Sequence, residues 1–413
     1  MPQRARALRG DAMALLKVED ALARVLRDVP LTGIERVALL DARDRILAAP
    51  LAAGHDKPPF DASAMDGYAV RAADVAGLPA RLRVIGTSAA GRGFAGTVGA
   101  GEAVRIFTGA PVPAGADAIV IQENSEAAGD SVVVKAGAVE PGHVRRRAFD
   151  FRRGERLLAP GTRLAPRTLT LAAAMGHGEV PVRARPRVAI IATGDELVLP
   201  GSPVGADQIV CSNPFGIAAM VAAAGGAPRF LGIAGDTRAA LATKLDAAAS
   251  AEIVVTIGGA SVGDYDLVAP VLEGRGIALD FWKIAMRPGM PLIFAASSHQ
   301  RILGLPGNPV SALICARIFL LPLVRAMLGD AAAGMASEPA IADIALEANG
   351  PRQHYARAEL VAGSGGHPRV RPIRSQDSTL LAPLAAADCL IVRPPDAPAV
   401  PAGGATTILR LDF

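Results

Sequence analysis

The chain has 413 residues, of which 51% are hydrophobic and 20% are charged. This composition supports a sizeable core, excludes a disordered or fibrous protein, and at roughly 150 residues per domain predicts two to four domains. The net charge is only +4 and aromatic residues make up 4%, which argues against a protein that binds nucleic acid through a basic surface or by base stacking.

Three features predict a cytoplasmic protein that does not cross a membrane. The three cysteines stand far apart, which excludes a disulfide framework and fits a reducing compartment. The basic N-terminus is not followed by an apolar run, so we do not expect a signal peptide. The most apolar stretch, residues 312–328, contains Arg317 and Arg325, and we therefore expect a buried helix there.

In chain order, the first predicted elements form a helical domain that a β domain interrupts. Apolar residues at helical spacing predict a helix over residues 12–29, and a second helical run covers residues 166–175. Short β-like segments between them alternate with Gly and Pro turns. They lie at residues 82–85, 103–106, 118–122 and 131–135. We predict a helical or linker domain of residues 1–50 with 150–182, and an inserted β domain of residues 51–149.

From about residue 187, apolar strands alternate with helices, which predicts an α/β domain over residues 183–330 with a doubly wound parallel sheet. The predicted strands lie at residues 188–192, 230–234, 253–257, 281–284, 291–294 and 301–305, and the predicted helices at residues 214–224, 238–250 and from 310 onward. After residue 330 the chain is again β-like with turns. We therefore predict a C-terminal β domain over residues 331–413.

Three loops of the α/β domain carry residues suited to chemistry. In an open α/β sheet, ligands bind beyond the carboxyl ends of the strands. The loops there contain residues 193–196, 258–266 and 305–309. All three contain Gly, and the first two also bring Asp or Glu side chains. Exposed amides favour an anion, and carboxylates favour a hard cation such as Mg²⁺. The sequence therefore indicates a site for a phosphorylated ligand with a divalent metal.

A serine hydrolase is an alternative interpretation of the second loop. Gly259, Ser261 and Gly263 fit the nucleophile-elbow pattern after a buried strand, but a hydrolase also needs a downstream histidine. Only His299, His354 and His367 follow, and none lies in a convincing loop at a strand end. The chain has no Walker motif and no His-Glu-x-x-His, so Walker-type nucleotide hydrolases and zincins are excluded.

Five segments, in order over almost the whole chain, resemble the MoeA family of molybdopterin molybdenumtransferases. They are Ser-Ala-Met-Asp-Gly-Tyr-Ala-Val at 63–70, Thr-Gly-Ala-Pro-Val-Pro at 108–113, Thr-Gly-Asp-Glu-Leu at 193–197, the Gly-rich loop at 258–266 and Leu-Pro-Gly-Asn-Pro-Val-Ser at 305–311. The same pattern occurs in the E domains of gephyrin and of plant molybdenum-cofactor proteins.

The resemblance implies a reaction and an assembly. The expected reaction is Mg²⁺- and molybdate-dependent cleavage of adenylylated molybdopterin, which yields molybdenum cofactor and AMP. The expected assembly is a cytoplasmic homodimer of four-domain subunits, in which the β domain of one subunit closes over the α/β domain of the other. Further expected contacts are with the upstream adenylyltransferase and with recipient molybdoenzymes, and not with nucleic acid or a membrane.

The resemblance also implies roles for particular residues. The catalytic residues by motif match are Asp66, Thr108, Glu196, Asp236 and Asp266, of which Glu196, Asp236 and Asp266 are the metal candidates. Substrate-binding residues would be Thr193, Gly194, Asp195, Ser212, Asn213, Gly258, Gly259, Ser261, Gly263, Pro306, Gly307, Asn308 and Pro309. Molybdate would be held by Lys283, Arg287, Arg357 and Ser378.

Three positions depart from the family pattern. Arg287 and Met290 stand where lysines are common. Arg287 keeps the positive charge, whereas Met290 has none, so this segment carries one positive charge fewer than is usual in the family. Cys211 stands where Asp is usual, before Ser212 and Asn213. The altered lysine positions keep open a pterin-nucleotide-binding protein that has lost metal insertion. A second alternative is a non-catalytic scaffold on the same fold, because gephyrin's E domain also clusters membrane receptors.

Overall fold

The computed structural model describes residues 15–135, 143–259, 267–331, 337–362 and 366–411. The chain divides into two compact units, one of residues 36–182 and one of residues 1–35 with 183–413. The first unit contains the predicted β domain. The second contains the predicted α/β and C-terminal domains.

A six-stranded, mainly antiparallel sheet forms the centre of the unit of residues 36–182. Along the sheet its strands are Ala118–Ile121, Gly67–Val70, Glu102–Ile106, Ala80–Ser88, Ser131–Val134 and Ser125–Ala128. Alternation along Glu102–Ile106 places Ala103 in one apolar cluster and Val104 in another, so both faces of the sheet are covered. Each β-like segment predicted between residues 51 and 149 is a strand here.

The remainder of this unit holds more β structure than we predicted. Its helix, Pro166–Ala174, begins with proline, and the Thr168 hydroxyl accepts the backbone N–H of Ala165 at 2.8 Å. Around it lie short paired strands: Leu51–Ala52 with Arg156–Leu158, Ala62–Ser63 with Val144–Arg145, and Ile34–Ala38 with Glu179–Arg183. Short 3₁₀ turns cover Leu39–Asp41, Ala72–Val75 and Gln122–Asn124. The predicted domain boundaries stay a prediction.

The α/β sheet has six strands, and it is mixed where we predicted it to be parallel. In order across the sheet they are Ala227–Ala234, Arg187–Thr193, Ile253–Ile257, Arg301–Leu305, Ile293–Ala296 and Leu279–Trp282. The first four are parallel and the last two are antiparallel to their neighbours. The reason is chain length, because residues 283–292 and 297–300 are too short for the crossover that a parallel connection requires.

Helices cover both faces of this sheet, as its fully buried central strand Ile253–Ile257 requires. They are Asn213–Ala223, Arg238–Ala247, Val268–Gly274, and a helix of consecutive segments Pro309–Cys315, Ala316–Leu320 and Leu321–Met327. The middle segment is a π-helix beside Pro322, which cannot donate to the carbonyl four residues earlier. Pro309–Met327 is apolar and long enough to cross a membrane, but 83% of it is buried inside the protein, as in a core helix.

Two further elements of this unit differ from, or add to, the predictions. The N-terminal helix spans Val18–Val25, shorter than predicted, and the chain turns at Asp28, whose φ is +49°. The short strands Leu197–Val198 and Ile209–Val210 pair in parallel beside the α/β sheet.

The C-terminal domain is a closed five-stranded barrel. Its strands are Ser337–Ala342, Gln353–Val361, Arg369–Pro372, Cys389–Arg393 and Ala405–Arg410, with a short helix at Leu381–Ala385. The barrel closes because Gln353–Val361 pairs with both Arg369–Pro372 and Cys389–Arg393. A sixth short strand, Met286–Arg287 of the α/β domain, pairs with the start of Gln353–Val361. The C-terminal domain is therefore a β domain, as predicted.

Candidate active site

The loops that follow the four parallel strands converge at one edge of the α/β sheet. The Thr193 hydroxyl donates to the Ile257 carbonyl at 3.3 Å, and the Gly194 N–H donates to the Ala234 carbonyl at 3.2 Å. The Gly258 N–H donates to the Leu305 carbonyl at 3.0 Å. Residues from all four strand ends thus share one small region, as the rule for ligand sites in such sheets predicts.

Glycine is needed at two positions of this edge. Gly258 has φ +93°, and a Cβ atom there would lie 2.8 Å from both the carbonyl oxygen and the hydroxyl of Thr193. Gly194 has φ +145°, and a Cβ atom there would collide with the carboxylate of Glu196. The glycines therefore allow the Glu196 side chain to fold back over its own loop.

Asp195 and Asp236 fix each other at neighbouring strand ends. The backbone N–H of Asp195 donates to Asp236 Oδ2 at 3.3 Å, and the backbone N–H of Asp236 donates to Asp195 Oδ1 at 3.1 Å. Each carboxylate keeps one oxygen outside this exchange. Glu196, the next residue in the chain, is exposed, and carboxylate oxygens are the ligands that Mg²⁺ prefers.

Cys211 lies near the Glu196 carboxylate. Its side chain is buried, and its N–H donates to the Val198 carbonyl at 2.8 Å. Burial, followed by the nearby Glu196 carboxylate, raises the pKa of the Cys211 thiol. The protonated thiol is a poor metal ligand, so the metal candidates at this edge are the carboxylates alone.

Two asparagines connect the last strand-end loop to its surroundings. Asn213 starts the helix Asn213–Ala223, and its Nδ2 donates to the Gly307 carbonyl at 2.8 Å. Asn308 Nδ2 donates to Ser378 Oγ at 2.9 Å, and the Val310 N–H donates to the Ser378 carbonyl at 3.1 Å. The structure thereby brings the predicted residues Asn213, Gly307, Asn308 and Ser378 together. Ser212 and Pro306 precede two of them directly, and Pro309 begins the following helix.

Arg357 organises the loop that carries Ser378. The side chain is 1% exposed, its Nη1 donates to the Leu380 carbonyl, and its Nη2 donates to the carbonyls of Ser375 and Asp377, each at 2.9 Å. Burial lowers the pKa of Arg357, and the nearby Asp377 carboxylate opposes that change. In this structure Arg357 acts on Ser378 through the backbone. Its predicted direct contact with molybdate stays a prediction.

Lys283 and Arg287 lie on the segment that joins the two antiparallel strands. Lys283 has φ +75°, and its ammonium lies 4.9 Å from the centroid of the Trp282 ring. Arg287 is exposed and belongs to the short strand that pairs with the barrel. Arg287 therefore lies where the α/β domain pairs with the C-terminal domain, and Lys283 precedes it on the same segment.

Asp66 and Thr108 form a closely bonded pair in the unit of residues 36–182. Asp66 Oδ1 accepts the backbone N–H of Thr108 at 2.7 Å and its hydroxyl at 2.8 Å. These two donors, with a smaller contribution from the Arg105 charge, hold the pKa of Asp66 below its usual value. Asp66 is thus an ionised carboxylate with a fixed orientation. Its association with Glu196 and Asp236, which lie in the other unit, stays a prediction.

Sequence reasoning missed Arg105, which supports this pair. Its guanidinium lies 5.1 Å from the Tyr68 ring and 5.0 Å from the Phe107 ring, and it donates to the Gly67 carbonyl at 3.1 Å and to Gln122 Oε1 at 2.8 Å. One arginine among many carries no distinguishing pattern. Its position three residues before Thr108 was the available signal.

Three predicted site residues, Ser261, Gly263 and Asp266, lie outside the described residues. Within the described ranges, no three or more His, Cys, Asp and Glu side chains lie close enough to hold a metal ion together. Among the candidate histidines of the hydrolase interpretation, His299 does not lie at this edge. His299 lies just before the strand Arg301–Leu305, at the opposite edge from Gly258 and Gly259.

Comparison with known proteins decides the family. Residues 16–176 match the MoeA N-terminal region (domain I and II), residues 189–326 match a probable molybdopterin-binding domain, and residues 339–410 match the MoeA C-terminal region (domain IV). A molybdopterin molybdenumtransferase of Nostoc sp. is 36% identical over 91% of this chain and 88% of its own length. That of Haemophilus influenzae is 34% identical over 95% and 98%. The chain belongs to the MoeA family.

A solved MoeA structure shares the architecture. The molybdopterin biosynthesis MoeA protein from Pyrococcus horikoshii has 30% sequence identity and a TM-score of 0.84, covering 97% of this chain and all of that one. The predicted family and multi-domain α/β fold are thus confirmed. Within this MoeA-family chain, the strand-end edge with Asp195, Glu196 and Asp236 belongs to the region matched by the molybdopterin-binding domain.

Proposed function

We propose that this transferase of molybdenum-cofactor biosynthesis cleaves adenylylated molybdopterin and inserts molybdenum from molybdate, releasing AMP. The observation that carries the proposal is the convergence of Gly-rich strand-end loops with the Asp195–Asp236 pair and Glu196. Such an edge lets phosphate oxygens approach the backbone of its Gly-rich loops and offers carboxylates for a divalent cation. A pyrophosphate that joins a pterin to AMP needs both.

We propose that Glu196 and Asp236 hold Mg²⁺, together with Asp266. The chemistry of the donor set supports this, because the mutual amide bonds orient Asp195 and Asp236 while leaving a carboxylate oxygen on each. When bound, Mg²⁺ would neutralise phosphate charge as the AMP phosphate departs. The protein's own contribution is positional, because the Asn213 bond to Gly307 and the Asn308 bond to Ser378 fix the loop on which substrate would rest.

We further propose that molybdate binds at the boundary between the α/β and C-terminal domains, near Lys283, Arg287 and Ser378. A tetrahedral dianion needs fixed positive charge and hydroxyl donors. This boundary presents both, since Arg287 lies on the strand that joins the barrel and Ser378 contacts Asn308.

The proposed enzyme is a cytoplasmic homodimer in which Asp66 and Thr108 of one subunit complete the site of the other. A partly exposed carboxylate that Thr108 orients and keeps ionised suits a shared site better than a structural ion pair. The three buried, unpaired cysteines fit a reducing cytoplasm. The adenylyltransferase that supplies substrate and the molybdoenzymes that receive product are proposed transient partners.

The test is AMP release from adenylylated molybdopterin with Mg²⁺, with and without molybdate, for the wild type and Asp236→Asn. We expect molybdate-dependent release by the wild type and a loss of about 100-fold in the variant, because the substitution removes a carboxylate at the reacting phosphates. Glu273→Gln, on the exposed surface of helix Val268–Gly274, is the control and should keep wild-type activity. Equal rates for wild type and Asp236→Asn would contradict the site assignment.

A further inference from the structure

Arg352 brings a guanidinium to the segment that carries Arg287. Met286–Arg287 pairs in parallel with the start of the strand Gln353–Val361, and Arg287 lies opposite His354 in the register. The Gln353 N–H donates to the Ala285 carbonyl at 2.9 Å. Immediately before this strand, Arg352 Nη1 lies 3.9 Å from Met290 Sδ. The contact places the Arg352 guanidinium beside Met290, the position at which this chain lacks the lysine that is common in the family.

The positive charge of this group is not balanced by acids. In the part of the chain that the structure describes, neither Arg287 nor Arg352 forms an ion pair with a carboxylate. Other arginines of the same barrel do: Arg369 and Arg371 both bind Asp343, at 3.1 and 2.5 Å. Two unpaired guanidinium groups on adjoining segments indicate a site for an anion.

His354 lies on the barrel strand, opposite Arg287 and two residues after Arg352. Burial, and then the charges of Arg287, Arg352 and Arg393, lower the pKa of His354 to about 4. The imidazole is therefore neutral at pH 7 and adds no positive charge. Arg393 is already occupied, since its Nη2 donates to the carbonyls of Glu347 and Pro398. Of the three arginines around His354, Arg287 and Arg352 therefore remain available to a ligand.

We infer that Arg352 is a molybdate-binding residue that, with Arg287, supplies the guanidinium donors of the oxyanion site. The inference rests on the proposed function and adds a residue to it. A planar guanidinium presents paired donors that match two oxygens of a tetrahedral oxyanion. Arg352 supplies this charge next to Met290, while Arg357 is engaged with three carbonyls of the Ser378 loop.

Calorimetric titration with sodium molybdate, alone and with adenylylated molybdopterin present, tests the inference. We expect Arg352→Gln to weaken molybdate binding about tenfold, the loss typical of one charge-assisted contact, without changing the affinity for adenylylated molybdopterin. Arg352→Lys should lose only about threefold, because it keeps the charge but not the paired donors. Arg374→Gln, at an exposed arginine of the same domain, is the matched control and should bind as the wild type does.

A second substitution separates charge from structure. In Arg352→Gln, adding Met290→Lys returns a cation to the adjoining position and should recover most of the lost affinity. Thermal unfolding of each variant checks that the barrel remains folded, and Arg352→Lys serves if the Gln variant does not fold.

Molybdate binding that depends on Arg352 in a protein that releases no AMP would uphold the inference and contradict the proposed function. Wild-type affinity in Arg352→Gln, or no molybdate binding by the wild type under either condition, would overturn the inference.

Discussion

At the scale of single residues, the candidate site depends on backbone positions that tolerate only glycine. Gly258 combines φ +93° with Thr193 atoms 2.8 Å from the place a Cβ would occupy. Gly194 makes room for the Glu196 carboxylate in a similar way. These close contacts explain why Gly and acidic residues stand together in the sequence at strand ends. The loops must approach one another before their carboxylates and amides can act on one ligand.

Replacing Gly258 with alanine should destabilise the protein by about 2–3 kcal/mol, since the new Cβ strains the backbone and contacts Thr193. The measurement is the free energy of unfolding in urea. Gly274→Ala is the matched control, because a Cβ there meets nothing within 4 Å at the end of a helix. An equal effect of the two substitutions would show that the contact with Thr193 does not constrain this loop.

Residue identity could be predicted from sequence at this scale, but the state of each side chain could not. The motifs indicated Asp66 and Thr108 as a functional pair, and the structure shows them bonded at 2.7 and 2.8 Å. The burial of Arg357 and the contact of Arg352 with Met290 have no local sequence pattern. Both depend on how the barrel strand Gln353–Val361 meets segments that are distant in the chain.

At the scale of elements, the buried strands were the most predictable part of the fold. Ile253–Ile257 and Arg301–Leu305 occur at the predicted residues, because uninterrupted apolar runs fit only a strand that is covered on both faces. The predicted direction of Ile293–Ala296 was wrong, because this strand alone runs against the other five. Local pattern does not encode strand direction, and only the short connections on either side could have indicated it. The short paired strands around helix Pro166–Ala174 were missed because two- and three-residue strands have no periodicity.

The loop at residues 375–380 is the element through which Arg357 acts. Arg357→Met removes the donors to three carbonyls and should lower the free energy of unfolding by about 2–4 kcal/mol. It should also weaken the molybdate response, because Ser378 would lose its fixed position. Ser378→Ala is the comparison: it should weaken the molybdate response with less than about 1 kcal/mol of destabilisation. If Arg357→Met weakens molybdate binding without destabilising the protein, Arg357 contacts the anion directly and its role in the loop is secondary.

At the scale of the whole molecule, the order of domains follows the MoeA family from residue 16 to residue 410. The candidate site residues fall in both units. One unit holds the ionised Asp66 carboxylate with Thr108, and the other holds the strand-end carboxylates together with Arg287 and Arg352. A non-catalytic scaffold would have no need for both an acidic strand-end edge and, among the described residues, two arginines without a carboxylate partner in the same unit. The division instead suits an enzyme that must bring together a nucleotide-linked pterin and an oxyanion.

The most direct measurement is transfer of molybdenum itself. Purified protein is incubated with adenylylated molybdopterin, Mg²⁺ and molybdate, and the product is supplied to a cofactor-free molybdoenzyme whose recovered activity is measured. We expect activity to return with molybdate and to remain absent without it. Tight binding of adenylylated molybdopterin with no recovery of activity, whether or not molybdate is added, would contradict molybdenum transfer and identify the protein as a non-catalytic binder on the same fold.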